Sequence, residues 1–314
     1  MGKWAIAFCG QGAQRIGMGL EFFEVYPTAR EFLERAQDAL KLNLLKLIKD
    51  GPEEELKLTT NQQPAVFAIT AAIYEVMREG GFPAPNFGLG HSLGEYTALY
   101  AARALAFEDA VLLVRDRAKF MDEAVPAGEG KMCAIIGLDR DAVAEVCEQA
   151  STDDEKVWPA NFNGGGQIVI SGHAPAAERA ADIAKQRRAR AIMLKVSGPF
   201  HTPLMQEAAD RLKDRLADVG FGNMEFPVIS NVDAQPNSDG QRAKELLVKQ
   251  MTNPVLWEDS VKRLVAEEVE AFVEVCPAKM LGPLVERITK DMKVYSITTP
   301  KELEDTWDRL HPIL

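Results

Sequence analysis

The stretch Phe87-Gly88-Leu89-Gly90-His91-Ser92-Leu93-Gly94-Glu95-Tyr96 leaves this chain few choices. An apolar run enters a Gly-x-Ser-x-Gly corner, and an alanine-rich segment, Thr97 to Ala102, leaves it. Gly90 and Gly94 permit a strained strand-to-helix turn that pushes the Ser92 hydroxyl into solvent. The helix beginning at Leu93 aims its N-terminal dipole and unpaired N–H groups at the same point, where one of them can hold an oxyanion. A five-residue match arises by chance, and an ordinary serine on a glycine corner is the bland reading. A strand before and a buried helix after favour a displayed nucleophile.

Such a corner belongs to sheets whose strands alternate with helices, and the rest of the chain keeps that rhythm. Lys3 to Cys9 reads as a short buried strand stopped by Gly10-Gln11-Gly12. Helical periodicity covers 28–48, and a helix is predicted to start at Pro64 and stop at Gly80-Gly81. The expected class is α/β, a hydrolase-like large domain with a mainly parallel sheet. From 126 to 197 the order becomes βαββαβ, a ferredoxin-like unit. The expected domains are therefore 1–125 with 198–314, and an inserted small domain at 126–197.

Composition narrows the function classes. At 314 residues, 46% hydrophobic and 26% charged, the chain can bury the core of an ordinary globular protein. No apolar run spans a bilayer, and the start shows neither a signal-peptide cleavage site nor a myristoylation site, since position 6 is Ile. A cytoplasmic protein with no membrane partner is expected. A net charge of −11 argues against nucleic acid. The four cysteines, Cys9, Cys133, Cys147 and Cys276, form no C-x-x-C pair, and with four histidines they give no metal-site spacing. Cys9 is expected to be a buried free thiol. Gly10-x-Gly12 lacks the third glycine of a dinucleotide fingerprint, and "NGGGQ" lacks the Lys-Ser/Thr of a phosphate loop, so NAD and ATP are set aside.

A nucleophilic serine needs a base. His91 adjoins Ser92 on a sharp turn and suits packing; His173 and His311 suit a boundary and a tail. His201, in "SGPFHTPLM", occupies a Gly/Pro loop of the kind that carries active-site histidines. No acid sits at a strand end between Ser92 and His201, so a Ser-His-acid triad is not expected. A dyad suffices for a thioester, whose thiolate leaves readily, and a backbone carbonyl can orient the imidazole. In "VLLVRDRAKFM", Arg115 and Arg117 lie about 200° apart around a helix, so at most one faces inward. Buried arginine requires an anion, but periodicity does not choose between the two.

These pieces, with "FCGQGAQRIGMG", "TTNQQPAVFA", "PANFNGGGQIVISG", "PVISNVDA" and "NPVLW", resemble the malonyl-CoA:acyl-carrier-protein transacylases over nearly the whole chain, to about residue 295. The resemblance implies Ser92 as acylated nucleophile, His201 as general base, and backbone N–H groups of Leu93 and Gln11 as oxyanion hole. It implies Arg117 as the malonyl carboxylate clamp and Gln250 as the residue whose backbone carbonyl orients the histidine. Gln63 and Asn161 match polar residues lining the cleft. Phe200 resembles malonyl-selective members and should crowd an α-methyl branch. Ala118, where the family often has Gly, and "NGGGQ", where Ser-Pro-Gly-Gln is commoner, depart from the pattern without touching a catalytic side chain.

The implied reaction is ping-pong malonyl transfer to acyl carrier protein for fatty acid synthesis. Malonyl-CoA is a substrate, no cofactor is bound, and a monomer is expected. The alternatives are a discrete acyltransferase of a polyketide synthase, or a serine hydrolase or thioesterase. Carrier proteins of this pathway are acidic, which makes the basic run Lys185, Arg187, Arg188, Arg190 and Lys195 a candidate docking patch; a solvated helix end is the equal alternative.

Overall fold

The computed structural model describes residues 2–311. It contains ten strands: β1 (Lys3–Phe8), β2 (Phe87–Gly90), β3 (Gly130–Ile136), β4 (Val157–Gly164), β5 (Gln167–His173), β6 (Arg190–Met193), β7 (Val228–Ile229), β8 (Pro236–Asn237), β9 (Val269–Val275) and β10 (Lys293–Ile297). One sheet has the order β10-β9-β1-β2-β7-β8 and is parallel except for the β7/β8 pair. Its central strand, with Ala5, Ile6, Ala7 and Phe8 all buried, is apolar on both faces, as a parallel sheet covered by helices requires. The second sheet, β4-β5-β3-β6, is antiparallel throughout. With the helices Arg140–Ala150 and Ala174–Gln186 it encloses a separate core of Cys133, Ile135, Val143, Val146, Ile170 and Ala180. The expected class, a mainly parallel α/β sheet carrying a ferredoxin-like unit, is the one observed.

The two sheets are stitched together beside the glycine corner. Val255 donates to the Ala160 carbonyl and accepts from the Phe162 N–H, each at 2.9 Å. His91 Nε2 lies 2.9 Å from Asn163 Oδ1 on β4.

Several local expectations change. The periodic stretch 28–48 is two helices, Pro27–Leu40 and Leu44–Asp50, broken where Lys41 turns left-handed at φ 54°. Pro64 lies inside the helix Thr59–Glu79 rather than at its start. The turn ahead of it is held by Asn61 and Gln62 N–H bonds to the Leu58 carbonyl and by burial of Gln62 and Gln63. The missing N–H of Pro64 therefore removes one bond without ending the helix. Cys9 is not a free thiol: it is disulfide-bonded to Cys276, with Cα atoms 5.5 Å apart. Phe8 and Val275 are register partners on adjacent parallel strands, so the next residues of each chain segment lie abreast. Cys133 and Cys147 are free and buried. Among the described residues, no helix is long and apolar enough to cross a membrane.

Candidate active site

The corner forms because two glycines let backbone touch backbone. A Cβ on Gly90 would lie 2.0 Å from the Gly94 carbonyl carbon, and one on Gly94 would lie 1.9 Å from the Phe8 oxygen. No side chain fits at either position, so the helix Gly94–Ala101 sits directly on β1 and β2. The backbone strain falls on the serine itself, at φ 52°, a left-handed conformation uncommon outside glycine. Asn231 braces it: its Oδ1 accepts from the Ser92 N–H at 2.7 Å and its Nδ2 donates to the Gly90 carbonyl at 2.6 Å.

The Ser92 Oγ lies 2.8 Å from His201 Nε2. On the far side of the ring, Nδ1 lies 2.8 Å from the Gln250 carbonyl oxygen. A carbonyl can only accept, so Nδ1 carries the proton and Nε2 is left to accept from the serine. His201 is also left-handed, at φ 61°. Thr202 Oγ1 closes that turn on the Pro199 carbonyl at 2.7 Å, and Phe200 is packed beside it at 4% exposure. Burial drives the imidazole pKa down to about 3, with the nearby Arg117 charge adding to the fall and the Gln250 carbonyl opposing it. The ring is neutral at pH 7.

Arg117, not Arg115, faces this centre. Arg115 is half-buried and donates to the Leu40 carbonyl at 2.7 Å. Arg117 has no exposed surface. Its Nη1 donates to Gln63 Oε1 at 2.7 Å, and its Nη2 to Ser92 Oγ at 2.9 Å and Gln250 Oε1 at 3.0 Å. The guanidinium stands 5.3 Å from the Tyr96 ring, and its Nε is buried without a partner. Among the described residues no carboxylate forms an ion pair with it. A buried cation without a counter-ion is costly, and burial pushes its pKa down. The arrangement is suited to a ligand that brings a carboxylate.

The N–H groups of Leu93 and Gln11 find no acceptor among the described residues. The Gln11 loop is pressed against the corner, since a Cβ on Gly10 would lie 2.4 Å from the His91 oxygen. Gln63 Nε2 reaches Gln11 Oε1 at 3.3 Å. Chemically, a neutral imidazole, a strained serine, two N–H groups without acceptors and an unmatched guanidinium can carry an acyl group on Ser92.

The model of the acyl transferase domain family matches residues 6–306. The chain belongs to the acyl transferase family. It is 45% identical over 305 residues to the malonyl CoA-acyl carrier protein transacylase of Bacillus subtilis (strain 168), covering 97% of this chain and 96% of that one. It is 42% identical to the protein of that name from Escherichia coli (strain K12), over 96% of this chain and 98% of that one. The Coxiella burnetii transacylase structure superposes with a TM-score of 0.96 at 39% identity and 98% coverage of both chains. A malonyl-transacylase solved in complex with its type II PKS acyl-carrier protein gives 0.95 at 38% identity, covering 98% of this chain and 99% of that one.

Within this acyl transferase, hydrogen bonds join Ser92, His201, Arg117, Gln63, Gln250 and Gln11 into one cluster, with Leu93 and Phe200 adjoining it in the chain. Asn161 is bridged through its backbone to Val255, but its side chain has no hydrogen-bond partner among the described residues. His91 binds Asn163, and His173 Nδ1 lies 2.9 Å from the Lys156 N–H that donates to it. Neither reaches Ser92 Oγ. The basic run spans the end of the Ala174–Gln186 helix (Lys185), the turn after it (Arg187, Arg188), the start of β6 (Arg190) and the segment past β6 (Lys195). Lys185 pairs with Asp182 and Arg187 with Glu145, while Arg188, Arg190 and Lys195 are exposed. Sequence reasoning missed Asn231 and Glu95. Both lie inside quoted motifs, "PVISNVDA" and "GHSLGE", yet a polar residue in a loop and a carboxylate in a first helical turn usually face water. Burial instead raises the Glu95 carboxyl to about 7, against opposing bonds from Gln250 and the Asn231 N–H.

Proposed function

We propose that this acyl transferase moves a malonyl group from malonyl-CoA to the phosphopantetheine thiol of an acyl carrier protein, in fatty acid synthesis. The observation that carries the reading is the buried, counter-ion-free Arg117 with a donor 2.9 Å from Ser92 Oγ. Malonyl has a carboxylate one methylene from its thioester carbonyl, so a guanidinium beside the nucleophile binds the far end while the near end meets the serine.

His201 Nε2 takes the Ser92 proton as Oγ forms a bond to the thioester carbonyl. The Leu93 and Gln11 N–H groups stabilise the resulting oxyanion. The carbonyl re-forms, the C–S bond breaks, and the coenzyme A thiolate takes the proton from His201. In the second half the carrier thiol gives its proton to His201 and attacks malonyl-Ser92; Oγ leaves and is reprotonated. Thioester replaces thioester, so no energy source enters. The Gln250 carbonyl in place of a carboxylate suits a thiolate leaving group. Segment 126–197 forms the other wall of the cleft, with Asn161 and Phe200 shaping the acyl pocket. One chain supplies every group named, and a monomer suffices.

Intact-protein mass spectrometry after incubation with malonyl-CoA tests this. A malonyl adduct is expected on the wild type, absent from Ser92→Ala, and discharged by holo carrier protein. Discharge to water at the same rate without carrier protein would make it a hydrolase. Arg188, Arg190 and Lys195 form the part of the basic run without an ion pair among the described residues, and this surface is read as the dock for the acidic carrier. Arg188→Glu with Arg190→Glu is expected to raise KM for carrier protein about tenfold at low salt and leave Ser92 malonylation unchanged. An equal loss in both half-reactions removes the docking assignment.

A further inference from the structure

Gln250 bonds to three members of the centre, His201, Arg117 and Ser92. Its backbone carbonyl accepts from His201 Nδ1, and its Oε1 accepts from Arg117 Nη2. A primary amide fits its site either way round unless its partners decide, and the reversed amide would set N–H groups against the guanidinium. The deciding partners lie on the opposite side. Gln250 Nε2 is 2.7 Å from Glu95 Oε2, 3.1 Å from the Ser92 carbonyl and 3.3 Å from Asn231 Oδ1. Of these three acceptors Glu95 is the nearest and the only carboxyl.

The same oxygen, Glu95 Oε2, accepts from the Asn231 N–H at 3.1 Å, and Asn231 in turn grips Ser92 and Gly90. Glu95 is 2% exposed and adjoins Gly94 in the corner. A carboxylate in a first helical turn ordinarily serves the helix dipole from solvent. This one is buried and spends its bonds on residues outside its own helix.

We propose that Glu95 is a positioning residue for acyl selection: it fixes the polarity of the Gln250 amide, so that Oε1 faces Arg117 and holds the guanidinium at Ser92. Glu95 does not touch the substrate. The inference rests on Arg117 being the malonyl clamp.

Three full-length variants test it by the rates of Ser92 acylation with malonyl-CoA and acetyl-CoA, alongside thermal melts. Glu95→Leu removes the acceptor, and its malonyl kcat/KM is expected to fall about 30-fold, mostly in KM, while acetylation changes by about threefold or less. Glu95→Gln keeps an oxygen that accepts from Gln250 and is expected to retain the malonyl preference. Glu95→Asp keeps the charge but draws the oxygen back by one methylene, and is expected to lose preference about tenfold; it decides the matter if the leucine variant does not fold. Parallel loss with both acyl groups, an unchanged preference in the aspartate variant, or a glutamine variant as poor as leucine would overturn the proposal. A wild type that takes no malonyl group would instead overturn the clamp reading.

Discussion

His201→Ala is expected to slow malonylation of Ser92 by about 1,000-fold, the scale of losing a well-placed general base. Circular dichroism should stay close to the wild type, while the melt at pH 7 should fall modestly, because truncation leaves a cavity and an unpartnered Gln250 carbonyl. The pH profile is the sharper measurement. The ring must be neutral to take the serine proton, and the fold holds its pKa near 3, well below the 6.5 of a free imidazole. In the free enzyme, kcat/KM for acylation should therefore stay level as pH falls through 6.5, with its acid limb well below pH 5. A limb centred near 6.5 would show that burial and Arg117 do not act as described. Stability carries the opposite cost. Between pH 6.5 and about 3 the unfolded chain binds this proton and the folded chain does not. The fold thus loses up to about 1.4 kcal/mol per pH unit from this group as pH falls across that window. His201→Ala should flatten that part of the stability curve.

Arg117→Ala is expected to lower kcat/KM for malonyl-CoA by about 100-fold, equivalent to about 3 kcal/mol from two charge-assisted bonds to one carboxylate. The acetyl group offers that guanidinium nothing, so acetylation should hold steady or rise. The selectivity ratio, measured by competing malonyl-CoA and acetyl-CoA for Ser92, is then the decisive number. Malonyl preference surviving the substitution would end the clamp assignment, whatever happened to the absolute rates. Gln63 and Gln250 would each lose a donor to their Oε1 atoms, so part of any general loss reflects those orphaned acceptors.

The parts legible in the sequence are those set by short-range rules. The corner at Ser92 could be read because Gly90 and Gly94 flank it at fixed spacing, although the structure shows that they serve close backbone contact and leave the strain on Ser92. The βαββαβ order of the second sheet was equally plain, because each element is short and bounded. His201 and Arg117 needed the family resemblance: a histidine on a loop and two arginines 200° apart do not say which of them meets a serine far away in the chain. Glu95 and Asn231 stayed hidden for the same reason, since their burial comes from contacts more than a hundred residues distant. The Cys9–Cys276 bond depends on strand register, which spacing of 267 residues does not reveal. Helix ends near Lys41 and Pro64 were misplaced because local signals compete with tertiary packing there.

The hydrogen bond from Arg117 Nη2 to Ser92 Oγ has a consequence for the idle enzyme. The guanidinium engages one lone pair of the serine oxygen and so lowers its nucleophilicity, and its charge disfavours an imidazolium at His201. An arriving carboxylate competes for the same donor and neutralises the same charge. If Arg117 is the malonyl clamp proposed above, recognition of the cargo and release of the nucleophile are one event, and acyl groups without a carboxylate meet a serine still under restraint. On that reading the site would screen acyl groups by readiness as well as by fit.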